Sequence, residues 1–148
     1  MSVILPDTPT KVSLPVRAQI HFFVTLSRIL SRMPPARLRS LLAQLSTGAR
    51  PATYSESKRA RDVVLTASAR CRGQSACLVR SLTIVLLCRT RGIWPTWCVG
   101  VLAAPPFTAH AWVEADGEIV DEPMRSTDFR KFFSIPARPK TISNKEGR

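Results

Sequence analysis

Gly73-Gln74-Ser75-Ala76-Cys77-Leu78-Val79-Arg80-Ser81-Leu82 is the stretch on which the fold turns. Glycine and serine punctuate the backbone, and then a cysteine opens a long apolar run. That run continues through Thr83-Ile84-Val85-Leu86-Leu87-Cys88 and closes at Arg89-Thr90-Arg91-Gly92. Apolar residues fall nearly all round the 3.6-residue period, so the spacing predicts a buried central helix over about 75–91. Gly92 ends it, as glycine commonly does after a helix. Cys77 then sits in the first turn, where aligned peptide dipoles place about half a positive charge. A thiolate is stabilised there and the thiol is activated. The competing reading is a small core residue, the usual fate of a lone cysteine.

Downstream the periodicity changes from helical to β. Trp97-Cys98-Val99-Gly100-Val101-Leu102 reads as a strand, and Ala103 to Pro106 breaks it. Phe107-Thr108-Ala109-His110-Ala111-Trp112-Val113-Glu114 is a second strand. Asp116-Gly117 is the strongest short-range hairpin signal, and Glu118-Ile119-Val120-Asp121-Glu122 is the returning strand. With a two-residue turn, Val113 faces Val120 and Trp112 faces Asp121. His110, Trp112 and Asp121 then share a side, and His110 and Asp121 are diagonal neighbours about 7–8 Å apart at the backbone. Glu122 points the other way. A three-residue turn would slip the register and exchange Asp121 for Glu122. Glu114 shares the face but lies nearer the turn.

A helix-opening thiol, a strand histidine and a carboxylate on the next strand form a pattern for nucleophilic catalysis. Cysteine attacks a carbonyl, histidine takes and returns the proton, and the carboxylate orients the imidazole. The oxyanion would lie near the Cys77 backbone N–H, with Gln74 as a candidate side-chain donor. Phe107 and Trp112 are candidates for the substrate pocket.

Upstream, Val16, Ile20, Phe23, Val24, Leu26, Ile29, Leu30 and Met33 predict an amphipathic helix over 14–33, ended by Pro34-Pro35. His21 lies beside its apolar face with nothing nearby to pair with, and reads as structural. A short helix over 36–45 and a third beginning near Ser55 and running to Ala69 follow. The tail carries Phe129, Phe132 and Phe133 on an expected short helix, then turns polar and basic after Pro136. The organisation is thus a flexible arm (1–13), a helical N-terminal lobe (14–52), a core (53–135) and a disordered basic tail (136–148). The fold class is α+β, with the central helix carrying Cys77 and a small antiparallel sheet carrying His110 and Asp121.

The 148 residues are enough for one domain with a real core. Lys and Arg number 22 against 10 acidic residues, a net charge of +12. Residues 1–70 hold 11 of the basic and 3 of the acidic side chains, so the excess concentrates upstream. Such a field suits an anionic partner, but aromatic and basic residues are not interleaved as in a nucleic-acid platform, and no nucleic acid is expected. The basic lobe reads either as packing or as a docking surface. Four cysteines without CxxC spacing and two histidines give neither a zinc set nor a disulfide framework. No metal or cofactor is expected. The apolar stretch 14–30 is broken by Arg17, His21 and Arg28 and is too polar to span a bilayer. No secretory signal is recognisable, so the expected setting is a reducing cytoplasm, with membrane association left open.

Cys77-Leu78-Val79-Arg80-Ser81-Leu82, Arg91-Gly92-Ile93, Val99-Gly100-Val101, the strand Phe107 to Glu114, Asp116-Gly117 and Asp121 together resemble the leader peptidases of lasso-peptide biosynthesis. The resemblance covers about residues 54–133. It implies a transglutaminase-like, papain-related fold with Cys77 as nucleophile, His110 as base and Asp121 as third member. It also implies hydrolysis of one peptide bond in a ribosomally made precursor. The implied partners are that precursor peptide, a separate leader-recognition protein and an ATP-dependent macrolactam synthetase. Two other classes remain open from the residues: a non-catalytic binding module, and an amidase or acyltransferase.

Overall fold

The computed structural model describes residues 5, 6 and 10–140. Helix α1 (Leu14–Leu30) starts with Pro15 in its first turn, where a missing N–H costs nothing. It buries Ile20, Val24, Ser27 and Leu30, a stripe at helical spacing. Helix α2 (Pro35–Leu45) buries Leu38 and Leu42. Helix α3 (Tyr54–Ala67) begins with a capping box, in which the Thr53 side chain and Glu56 satisfy each other's backbone N–H groups. Two short 3₁₀ turns, Ala69–Cys71 and Gln74–Ala76, lead into helix α4 (Cys77–Thr90). Every residue from Arg80 to Cys88 is buried, and α4 packs against α1 and α3 on one side and the sheet on the other. The expected central helix is thus present, two residues shorter at its start.

Strand β1 (Arg50–Pro51) pairs in parallel with β2 (Ile93–Trp94), tying the entry of α3 to the exit of α4. The main sheet contains β3 (Thr96–Leu102), β4 (Ala109–Ala115), β5 (Glu118–Ile119) and β6 (Phe129–Ile135), in the order β5-β4-β3-β6. Its pairs are all antiparallel. Ala115 faces Glu118 across Asp116-Gly117, so the turn has the two residues expected. Both have positive φ, 53 and 78, as the hairpin turn that matches strand twist requires.

One face of the sheet joins the main core. Trp97, Ala111 and Val113 pack there with residues of all four helices, and Trp97 Nε1 donates to Ser81 Oγ of α4 at 3.0 Å. The other face carries a small cluster of Cys98, Trp112 and Phe129. Because α1 and α4 share one core, the lobe and core units of the sequence are successive in the chain but packed together.

Two expectations change. Phe129, Phe132 and Phe133 lie on strand β6, not on a helix, because the segment completes the β3 edge of the sheet. Arg138, inside the stretch read as a disordered basic tail, is hydrogen-bonded to the turn after α2. Arg138 bridges Thr47, donating its N–H to Ser46 O at 3.1 Å and accepting from Gly48 N–H at 2.7 Å. Residues 141–148, and most of the expected arm, lie outside the described residues. Among the described residues, no helix is long and apolar enough to cross a membrane.

Candidate active site

Cys77 is the first residue of α4 and is partly exposed. The first N–H groups of a helix have no intrahelical acceptor and point outward. The other three cysteines are buried. Burial pushes the Cys88 and Cys98 thiols up to about 12 and also raises Cys71. Iodoacetamide at neutral pH should therefore modify Cys77 first in the native protein, read by mass mapping. Preferential labelling of Cys71, Cys88 or Cys98 would contradict this placement.

His110 stands near the start of β4, on the face of the small cluster. It is 6% exposed and stacks on Phe129 (ring centroids 5.2 Å apart) and on Trp112 (5.8 Å). Its Nε2 is sealed from solvent and has no hydrogen-bond partner among the described residues. The closest acidic group is Glu122, whose Oε2 is 3.9 Å from that nitrogen. Glu122 Oε1 in turn lies 3.8 Å from Nη2 of Arg80, one turn into α4 from Cys77. Arg80 is 3% exposed and donates to the carbonyls of Cys71 (3.0 Å) and Gly73 (3.4 Å), in the loop that delivers Cys77. Helix α4, which Cys77 opens, thus reaches the imidazole through Arg80 and Glu122, and among the described residues no hydrogen bond joins the thiol to the imidazole. Catalytic hydrogen bonds are often long in free enzymes and close with substrate.

Asp121 departs from expectation. The turn length was right, but the strand stops at Ile119 and Asp121 adopts φ 48. Alternation of sides holds only while the backbone stays extended. The left-handed residue rotates the chain and exchanges the directions of Asp121 and Glu122. Asp121 Oδ2 accepts from Lys58 Nζ of α3 at 2.7 Å, and Oδ1 accepts from the Tyr54 hydroxyl at 3.4 Å. Its backbone N–H donates to the same hydroxyl at 3.3 Å. The carboxylate beside His110 is therefore Glu122 rather than Asp121. Glu114 is committed elsewhere, accepting from Trp112 Nε1 at 3.0 Å and Lys131 Nζ at 2.9 Å.

Trp112 is 2% exposed and packed on Phe129, so it is a bed for His110 rather than the wall of an open pocket. Phe107 is 67% exposed on the loop before β4, and Gln74 is exposed in the 3₁₀ turn before Cys77. A shallow cleft of about 500 Å³, lined by Arg28, Arg70, Ser75, Ala76 and Val79, abuts that turn. Among the described residues, no group of three His, Cys, Asp or Glu side chains forms a metal site.

Arg61 and Arg80 had no assigned role in the sequence reading. Both are buried and both face the 121–122 turn, with Arg61 Nη1 3.9 Å from Asp121 Oδ2. The available signal was Arg80 itself. An arginine inside an apolar helix must find carbonyls or a carboxylate, because an unpaired buried charge is strongly penalised.

Burial, reinforced by the positive charge of Arg80, lowers the His110 pKa to about 4. At 3.9 Å the Glu122 contact is beyond hydrogen-bond length, and burial sets the basicity. Burial also raises the Glu122 pKa, against the pull of Arg80 and Arg61. His110 is therefore a neutral imidazole at neutral pH, able to accept a proton. The unfolded chain gains a proton at this histidine below about pH 6.5, where the folded chain gains it only near 4. His110 alone should then lower stability through that window as pH falls, by roughly 3 kcal/mol. Glu122 works in the opposite sense above its unfolded pKa. Denaturant titrations should show the loss, and His110→Phe, which keeps the ring stack, should flatten it. An unchanged slope in that variant would assign the loss to other groups.

The family model of the transglutaminase-like superfamily matches residues 20–134, from within α1 to the penultimate residue of β6. The chain belongs to that superfamily. No curated protein and no solved structure matches it. The superfamily includes cysteine peptidases and acyltransferases, a chemistry that begins at a cysteine thiol. In this transglutaminase-like domain the only partly exposed cysteine among the described residues opens the buried helix, and Arg80 of that helix reaches the carboxylate beside His110.

Proposed function

We propose that this transglutaminase-like protein is a cysteine peptidase that removes the leader from a ribosomally synthesised lasso-peptide precursor. The observation that carries the chemistry is the placement of an accessible Cys77 on the first turn of α4, linked through Arg80 to the Glu122–His110 pair. The substrate class comes from the sequence resemblance alone.

The residues divide the work as follows. Neutral His110 takes the Cys77 proton, and the thiolate attacks the scissile carbonyl. The first-turn N–H groups of α4 face the oxyanion that develops. The tetrahedral adduct collapses to a thioester as imidazolium protonates the leaving amine. Water, deprotonated by His110, then releases the acid and the free thiol. Glu122 orients the ring in both half-reactions, and no cofactor enters. A separate leader-recognition protein presents the precursor, and an ATP-dependent macrolactam synthetase uses the freed core. The setting is cytoplasmic.

The test is incubation of the protein with a precursor and recognition protein from its own gene neighbourhood, followed by mass analysis with and without an added primary amine. Peptidase activity gives a carboxylic acid in both cases. Predominant amide product would instead assign the acyl-transfer chemistry, and no acyl-enzyme or product at all would favour a binding module.

A further inference from the structure

Adjacent acidic residues at the end of the hairpin face opposite ways. Asp121 is tied to α3, through Lys58, through the Tyr54 hydroxyl at both its carboxylate and its backbone N–H, and beside Arg61. Glu122 turns toward His110 and Arg80. Asp121 itself is the residue at which the backbone turns left-handed. Aspartate is one of the few residues besides glycine that adopt that conformation, helped where its short side chain and backbone N–H find hydrogen-bond partners. Here those partners are on α3.

We propose that Asp121 is a positioning residue: its latch onto Tyr54 and Lys58 holds the left-handed turn that aims Glu122 at His110. The proposal rests on the reading of His110 as the catalytic base. It gives α3 a part in the site, although among the described residues none of its side chains hydrogen-bonds to the thiol or the imidazole. It also explains two carboxylates in succession. One fixes the backbone, and the other, shielded by Arg80 and Arg61, faces the ring. A carboxylate 3.9 Å from Nε2 biases which ring nitrogen carries the proton, so losing a latch that holds Glu122 in place should be visible at the imidazole itself.

The experiment compares Asp121→Asn, Asp121→Ala, Glu122→Gln and the double variant Tyr54→Phe/Lys58→Met, each first checked for folding by thermal melt. Asparagine tolerates the left-handed backbone, and its carbonyl oxygen can accept from Lys58 Nζ while its amide N–H donates to the Tyr54 hydroxyl oxygen. Asp121→Asn should lose less than about fivefold in kcat. Asp121→Ala and the double variant should lose more than about thirtyfold in kcat at nearly constant KM, approaching Glu122→Gln. A second readout needs no substrate. The ¹H–¹⁵N signals of the His110 imidazole at neutral pH report its tautomer. They should match wild type in Asp121→Asn and match Glu122→Gln in Asp121→Ala. An Asp121→Asn loss as deep as that of Glu122→Gln would make Asp121 the acting carboxylate and overturn the latch. Wild-type imidazole signals in Asp121→Ala would overturn it as well. Because the NMR comparison is independent of cleavage, it judges the latch separately from the peptidase reading.

Discussion

Cys77→Ala should abolish precursor cleavage, a loss of at least about a thousandfold in kcat, while leaving the thermal melt close to wild type. The two halves of that result have separate physical grounds. The fold is expected to survive because Cys77 is only partly buried at a helix start, so losing its sulfur opens no enclosed cavity. The chemistry is expected to fail because no other thiol can replace it. Cys71, Cys88 and Cys98 are buried in the core with raised pKa values, so each is both unreachable and protonated at neutral pH. His110→Gln should lose about as much, because nucleophile and base act as a unit and their losses do not add. The double variant should be no worse than either single one. Mass-resolved cleavage time courses on the three proteins measure this directly. Undiminished cleavage by Cys77→Ala would refute the cysteine mechanism.

The helices were legible because each buries a face at helical spacing, such as Ile20, Val24 and Leu30 on α1. α4 was legible for the opposite reason, being apolar all round and therefore central. The Asp116-Gly117 turn was legible because two positive φ angles in succession favour those residue types. The paired strands β1 and β2 were not legible. Two residues carry no periodicity, and their pairing joins segments more than forty positions apart. β6 was misread as helical because Phe129, Phe132 and Phe133 fit a helical spacing about as well. Long-range pairing with β3 settles the matter, and a local pattern does not contain it. At the site, Cys77 and His110 could be singled out by residue type and element. The carboxylate could not, because the two-residue register is right up to Ile119 and then fails at one backbone angle. Whether a strand continues for two more residues depends on Lys58 and Tyr54, on a helix more than sixty positions away.

The other large effect is expected far from the thiol, at Gly100. This residue pairs with His110 on one side and with Lys131 on the other, at an irregularity in the β3–β6 register. A Cβ there would stand 2.3 Å from the Arg130 carbonyl oxygen and 3.0 Å from its carbon. Both are backbone atoms, so no side chain can swing aside to make room. Gly100→Ala must therefore push β6 away from β3, at an expected cost of about 3 kcal/mol or more, which is a fall of roughly 10 °C in Tm. Activity should fall with it for a definite reason. Phe129 of β6 is the ring that His110 stacks against at 5.2 Å, so moving β6 loosens the imidazole. Cys77 belongs to α4 on the other face, and its alkylation by iodoacetamide should continue. Gly73→Ala provides the contrast. Its added Cβ meets only the Ala76 Cβ at 3.9 Å, and its backbone angles suit alanine, so it should melt within a degree or two of wild type. Equal melting temperatures for the two variants would mean that β3 and β6 are less tightly apposed at Gly100 than the structure places them. The His110 face of the sheet would then owe its shape to something other than this close backbone approach.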